Sequence, residues 1–120
     1  MYLFLSVCGA LVLSMSSTAQ FNNKRQVLIF GDPQNKLLQQ QQAWLNKDTK
    51  GLAERDVTIT VAGKNDALYK QYKVDSSIAF LFILVGKDTG EKHCSEKPVT
   101  TRQLFAIIDA MPMRKAEMKQ

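Results

Sequence analysis

The side chains best suited to covalent or metal chemistry are two cysteines, Cys8 and Cys94, and the single histidine, His93. One histidine beside one cysteine cannot supply the four ligands of a structural zinc ion, and no motif indicates a cofactor, so we predict neither. On a regular strand His93 and Cys94 would point to opposite faces, which disfavours a Cys–His nucleophile pair. A lone cysteine usually packs as a small apolar side chain, and a reactive thiol at Cys94 is the alternative.

An uncharged leader comes before the rest of the chain. Residues 1–19 contain no charged side chain, and the sixteen basic and eleven acidic residues all follow them. The apolar run from Tyr2 to Leu13, with small residues up to Ala19, is typical of a signal peptide, so we predict cleavage between Ala19 and Gln20. A retained anchor is disfavoured because a spanning helix needs roughly 20 mostly apolar residues. We expect residues 20–120 to be an exported single domain, periplasmic or extracellular, with no transmembrane segment after leader removal.

The formal net charge of +5 indicates a moderately basic protein. Lys and Arg are spread along the chain without interleaved aromatic residues, and export removes nucleic acid as a partner. A solvated basic surface is the favoured interpretation. The partner is expected to be a protein or an anionic surface polymer, and nucleic acid is excluded.

The first half of the chain predicts two strands and two helices. Gln26–Phe30 is an apolar, β-branched strand, and Asp32 followed by Pro33 favours a helix N-cap and first turn there. The helix carries apolar residues at three-to-four spacing, and Gly51 marks the far side of its end. Val57–Val61 alternates as a second strand, and Asn65 or Asp66 can cap a short helix that follows.

The second half predicts a hairpin and a final helix. Ile78–Val85 is continuously apolar, as in a central strand covered on both faces, and Glu91–Cys94 can pair back on it after a turn. Thr100 with Gln103 three residues later is a capping-box signal for the last helix. Pro112 should kink or end that helix.

The order strand, helix, strand, helix, strand, strand, helix is that of thioredoxins, and Phe80–Glu91 with Leu104–Ala110 resembles their closing half. We therefore predict an α/β, thioredoxin-like β-α-β-α-β-β-α sandwich with a central mixed sheet and helices on both faces. Its two βαβ-type connections predict parallel pairing.

Three strings resemble domain of unknown function 4174 (DUF4174) more specifically: Glu54–Asp56, Gly86–Asp88 and Ile108–Arg114, together with Glu117. The resemblance covers about Lys24 to Met118. It implies a peroxiredoxin-like domain that occurs as short exported bacterial proteins and as modules of extracellular-matrix and sushi-repeat proteins. It supplies no catalytic residue.

Thioredoxin chemistry needs a thiolate at the start of the first helix, where free N–H groups stabilise negative charge. This chain has Gly31-Asp32-Pro33-Gln34-Asn35 there, and Ser76-Ser77-Ile78 where thioredoxins carry a proline. Dithiol exchange is therefore unsupported. Loops at the carboxyl ends of parallel strands are common ligand sites, so we predict a contact surface at Asp32, Pro33, Gln34 and Ser77.

A second set of polar residues stands at predicted element ends: Arg55, Asp56, Asp109, Arg114 and Glu117. These side chains could line an anion or peptide pocket. We favour a structural ion-pair network that anchors the last helix.

Two functions from different classes are open. The leading hypothesis is an exported, non-catalytic binding or structural module. The alternative is a redox or peroxide-handling protein that uses Cys94 with a partner's thiol.

Overall fold

A computed structural model describes residues 22–63 and 66–119. The predicted leader, its cleavage site after Ala19 and the candidate cap Asn65 lie outside these residues. Within them, no helix is long and apolar enough to cross a membrane.

Four strands within the described residues form one sheet: β1 (Arg25–Gly31), β2 (Val57–Ala62), β3 (Phe80–Val85) and β4 (Glu91–Ser95). Their order in the sheet is β2-β1-β3-β4. β1 pairs in parallel with β2 and antiparallel with β3, and β3 pairs antiparallel with β4. The predicted mixed sheet and its closing hairpin are therefore confirmed.

The helices of the described residues are α1 (Lys36–Asn46), α2 (Thr49–Glu54), α3 (Ala67–Gln71), α4 (Thr101–Asp109) and α5 (Pro112–Met118). Two of them, α2 and α5, add to the predicted order. Gly51 was expected beyond a helix end but is buried inside α2, whose N-cap is Asp48. Pro112 follows the end of α4 and begins α5, where its missing N–H costs no hydrogen bond.

The direction of β3 differs from the prediction of two parallel connections. β3 runs antiparallel to β1, so it begins at the end of the sheet at which β1 and β2 finish. The five residues of α3 span only about 7 Å at the helical rise, whereas a six-residue strand spans about 20 Å. The helix alone therefore does not carry the chain back along the whole strand, and β3 enters the sheet from the end at which β2 finished.

Alternating side chains of the two central strands, β1 and β3, build a core on each face of the sheet. Val27 and Ile29 face α1, α2 and α4, whereas Leu28 and Phe30 pack with Tyr69 and other residues around α3. All six residues of β3 are buried, as their continuous apolar run predicts. The predicted placement of helices on both faces is confirmed.

Two polar arrangements tie α4 to the core face. Thr100 and Gln103 form the predicted capping box at its start. The buried Gln41 side chain of α1 donates to the carbonyl oxygen of Val99 at 2.8 Å and accepts from the Val99 N–H at 2.7 Å. These bonds set the position of the two helices that cover one face.

Candidate functional site

Seven charged side chains meet at the end of the sheet where β1 begins. This charged cluster consists of Arg25, Arg55, Asp56, Lys87, Asp109, Arg114 and Glu117. The structure brings together all five residues of the sequence-predicted network and adds Arg25 and Lys87. The cluster joins β1, the α2–β2 connection, the β3–β4 turn and helices α4 and α5.

Arg25 is the most enclosed member of the cluster, with 1% of its surface exposed. Its Nη1 and Nη2 atoms donate to the two carboxylate oxygens of Glu117 at 3.3 and 3.2 Å. Nη1 also donates to the carbonyl oxygen of Arg55 at 2.8 Å. Its Nε atom is buried and finds no acceptor among the described residues. The guanidinium therefore has its charge paired but one donor unused.

Lys87 links two carboxylates of the cluster. Its Nζ atom lies 2.8 Å from both Asp56 Oδ2 and Glu117 Oε2. The hydrogen bond from Lys87 holds the pKa of Asp56 below its ordinary value. Burial opposes ionisation of Glu117, but hydrogen bonds from Lys87 and Arg25 outweigh it and lower the pKa of Glu117. Both groups are therefore carboxylates at neutral pH.

Arg55 and Arg114 share the carboxylate of Asp109. Arg55 Nε and Nη2 donate to the two Asp109 oxygens at 3.0 Å each, and this pairing lowers the pKa of Asp109. The Arg55 guanidinium also lies 3.9 Å from the ring centroid of Phe105. Arg114 Nε donates to Asp109 at 3.3 Å, and its Nη1 donates to the Glu54 carbonyl at 3.2 Å. Helix α5 is thus bonded to both α4 and α2.

A cleft of about 350 Å³ opens beside the charged cluster. Arg25 and Lys87 line one part of it, and the α4–α5 junction, Met111–Met113, lines another. The cluster therefore anchors α5 and also borders a space large enough for a small ligand. Both interpretations of these charges from the sequence have a counterpart in the geometry.

The predicted contact surface lies at the opposite end of β1. Asp32 follows β1 and Ser77 precedes β3, and the antiparallel pairing of these strands brings both to one cleft of about 200 Å³. Pro33 and Gln34 are exposed and precede α1, but they do not line this cleft. The hydroxyl of Tyr69, which accepts from the Gly31 N–H at 3.1 Å, belongs to the cleft wall.

The start of α1 differs from the prediction. Asn35, not Asp32, is the N-cap, and its Oδ1 atom accepts from the Leu37 N–H at 2.7 Å. Asp32 instead accepts from the Gln34 N–H at 2.8 Å in a local turn that includes Pro33. An Asx residue can satisfy either arrangement, and the Asn35 carboxamide also reaches the Ala79 carbonyl at 3.2 Å. That extra bond favours the later start.

His93 and Cys94 lie on opposite faces of β4, as predicted for a regular strand. The His93 ring packs edge-on to Phe82, with the centroids 6.3 Å apart, whereas Cys94 packs against the core cluster on the other face. The structure leaves no cysteine free within the residues it describes, so Cys94 is not available there as a thiol. For the processed chain that the sequence predicts, a reactive thiol at Cys94 stays a prediction.

Glu91, at the start of β4, is a titratable group that the sequence did not single out. Its Oε1 atom is buried without a hydrogen-bond partner among the described residues, and burial raises the pKa of Glu91 to about 7. Burial also raises the pKa of Tyr72, with a smaller contribution from the charge of Glu91. The sequence showed only a polar residue after a turn, which gives no sign of this environment.

Arg25 and Lys87 were also missed, for two reasons. Arg25 directly precedes the predicted strand Gln26–Phe30, where a charged residue normally marks an exposed strand end, and its partner Glu117 is 92 residues away. Lys87 stands in a Gly-Lys-Asp-Thr-Gly segment that is typical of a turn. Long-range pairing of this kind has no local sequence signal.

Two comparisons with known proteins show what this chain is similar to. The model of the family described as Domain of unknown function (DUF4174) matches residues 17–117. A solved thioredoxin-fold protein from Helicobacter pylori is similar with a TM-score of 0.53 and 16% identity, covering 93% of this chain and 84% of that one. At this identity the likeness concerns the fold alone, and it confirms the predicted thioredoxin-like architecture. No curated protein matches the chain.

Proposed function

This chain belongs to the DUF4174 family, and from that premise we propose that it is an exported, non-catalytic binding module with its contact surface at the Asp32–Ser77 cleft. The observation that carries the proposal is the start of α1. The helix end that would have to stabilise a thiolate is capped by the chain's own Asn35 carboxamide. No sulfur occurs between Gly31 and Asn35.

Thiol exchange at this corner has no chemical support. A reactive thiolate gains its low pKa from free N–H groups and the positive end of the helix dipole. Here the Leu37 N–H is bonded to Asn35, and the Gln34 N–H is bonded to Asp32. Two of the local donors are therefore used for the turn and the cap.

The same corner is suited to reversible binding. The cleft presents the exposed side chains of Asp32, Ser76 and Ser77 at the carboxyl end of β1, where open α/β sheets commonly bind ligands. The Tyr69 hydroxyl accepts from Gly31 and keeps its own hydrogen for donation. The carboxylate of Asp32 would repel an anionic polymer, so a protein segment is the favoured partner.

Partner capture tests the contact surface. The processed chain, residues 20–120, is immobilised and exposed to the exported proteins of its source organism. Retained proteins are identified by mass spectrometry. Ser77→Arg would fill the cleft, whereas Gln40→Arg places the same side chain at an exposed position of α1 outside it. We expect a partner retained by the wild type and Gln40→Arg but lost with Ser77→Arg. Equal retention by both variants would overturn the contact surface.

Enzyme assays test the non-catalytic part. The processed chain is assayed for peroxide consumption and for reduction of a protein disulfide, beside a Cys94→Ser variant. We expect no turnover above background in either protein. Turnover that disappears in Cys94→Ser would replace this proposal with the redox alternative.

Export is a separate part of the proposal and has its own test. The match to the family begins at residue 17, which leaves nearly all of the leader outside the domain and supports its role as a signal peptide. The family resemblance also implies a relation to extracellular-matrix and sushi-repeat modules. Such a relation would fit an exported protein. We expect N-terminal sequencing of the exported protein to begin at Gln20. Intracellular protein that keeps residues 1–19 would contradict export.

A further inference from the structure

The cleft beside the charged cluster is separate from the proposed contact surface. Arg25 and Gly31 are the first and last residues of β1, and each lines one of the two clefts. Six residue steps of a strand place these ends roughly 20 Å apart. A ligand at the Arg25 end would therefore not touch the Asp32–Ser77 cleft.

The polar side of this cleft has an unused donor and carries three cations. Arg25 is 1% exposed, and its Nε atom has no acceptor within the described part of the chain. Buried donors without partners are rare in native proteins, and a ligand or ion that completes them is one explanation. The lining of the cleft includes three cations, Arg25, Lys87 and Lys92, and one carboxylate, Asp88, which pairs with Lys92.

The other side of the cleft is apolar. Met111, Pro112 and Met113 line it at the junction of α4 and α5, and Met113 is 40% exposed, which is high for a large apolar side chain. Methionine is flexible and polarizable, and it adapts to apolar ligands of different shapes. Lys92, whose amine lies 2.7 Å from Asp88, stands at the polar rim.

We propose that this cleft binds a small amphipathic carboxylate, with the anionic group toward Arg25, Lys87 and Lys92 and the apolar tail along Met111–Met113. Because Glu117, Asp56 and Asp88 already pair with the three cations of the cleft, a monoanion suits it better than a dianionic phosphate. The volume of about 350 Å³ stands near the lower limit of ligand pockets, which hold roughly 300–1,000 Å³, and it limits the tail to a short chain or one ring.

Calorimetric titration with three probes tests whether binding needs both the anionic group and the apolar tail. Octanoate has the anion and the tail, octanol has only the tail, and acetate has only the anion. We expect saturable binding of octanoate, and binding of octanol and acetate weaker by roughly tenfold or more, because each lacks one of the two contacts. Octanol that binds as tightly as octanoate, or octanoate that does not bind, would overturn the proposal.

Matched variants at exposed positions locate the binding. Met113→Asp places a charge on the apolar wall, and Met118→Asp makes the same change on α5 outside the cleft, at a residue 50% exposed. Lys92→Gln removes a rim charge, and Lys115→Gln removes one from an exposed position of α5. We expect octanoate affinity to fall roughly tenfold in Met113→Asp and about threefold in Lys92→Gln, with both controls unchanged.

Two results would point elsewhere. Equal losses of octanoate affinity in Met113→Asp and Met118→Asp would mean non-specific adsorption of a surfactant and would overturn the proposed binding in the cleft.

Vesicles of phosphatidylglycerol are titrated in parallel. Vesicle binding that Met113→Asp abolishes, without octanoate binding, would mean that the cleft meets a lipid surface instead of a small carboxylate. Because these four substitutions are at exposed positions, the thermal unfolding of each variant checks that the fold is kept.

Discussion

The guanidinium of Arg25 and the carboxylate of Glu117 form a bidentate ion pair, with N–O distances of 3.3 and 3.2 Å, although the two residues are 92 positions apart in the sequence. The pair joins the first residue of β1 to helix α5. Arg25 is 1% exposed, so water cannot solvate its charge if the partner is removed. A buried pair adds little net stability when intact, but its disruption leaves an uncompensated charge.

Glu117→Gln should therefore be strongly destabilising, although it only replaces one carboxylate oxygen with an NH2 group. We expect the free energy of unfolding, measured by urea denaturation at neutral pH, to fall by about 2–3 kcal/mol because Arg25 and Lys87 both lose a negative partner. Glu96→Gln, at an exposed position after β4, is the control and should change it by less than about 0.5 kcal/mol. Equal stability of the two variants would contradict a structural role for the pair.

Gly51 gives a prediction opposite to the usual helix propensity. Alanine normally stabilises a helix relative to glycine by about 1 kcal/mol. At Gly51, however, a Cβ atom would lie 2.6 Å from Phe105 Cε2 and 2.9 Å from the carboxylate of the Asp48 cap. We expect Gly51→Ala to lower the free energy of unfolding by about 1–3 kcal/mol through overpacking.

Gly63 provides the matched control for that substitution. A Cβ atom there would meet no atom of the described residues within 4 Å, and its backbone φ is not in the left-handed region. Gly63→Ala should therefore be neutral or stabilising by up to about 1 kcal/mol, because it restricts the unfolded chain. If Gly51→Ala proved as stable as Gly63→Ala in the same denaturation assay, α2 would not pack against Phe105 as described.

Two neighbouring Asx residues distinguish the observed start of α1 from the predicted one. Asn35 accepts from the Leu37 N–H as the N-cap, whereas Asp32 only closes the preceding turn. We expect Asn35→Ala to cost about 1 kcal/mol of stability and Asp32→Ala a few tenths. The reverse order in thermal or urea unfolding would restore Asp32 as the cap.

The elements that the sequence predicts well are those with a local signal. Val27–Phe30 alternates between the two faces of the sheet, Phe80–Val85 is buried throughout, and Thr100 with Gln103 forms the capping box. A hydrophobic pattern or a capping motif is contained in a few neighbouring residues, so it can be recognised in the sequence before the fold is known. The clustering of Asp32 with Ser77 needs the antiparallel pairing of β1 and β3, because parallel strands would place the end of one and the start of the other at opposite edges of the sheet.

Features set by distant parts of the chain could not be predicted in this way. The direction of β3 is set by its pairing with β1, and the burial of Gly51 depends on the ring of Phe105 from α4. The sequence around Arg25 gives no sign that its partner lies in α5. Each of these depends on packing between elements, which a pattern in one segment does not encode.

Glu91 should make stability fall as pH rises. Its pKa is about 7 in the folded protein against an ordinary 4.5, because burial disfavours the charge and Oε1 has no hydrogen-bond partner among the described residues. Between these values the unfolded state loses the proton that the native state retains, so the native state loses stability through this window. We expect Glu91→Gln to remove that loss, which would make the variant more stable than wild type at about pH 8, with a smaller or reversed difference at about pH 4.5. Urea denaturation across this range, with Glu96→Gln as the control, measures it; a pH-independent difference would mean that Glu91 ionises normally.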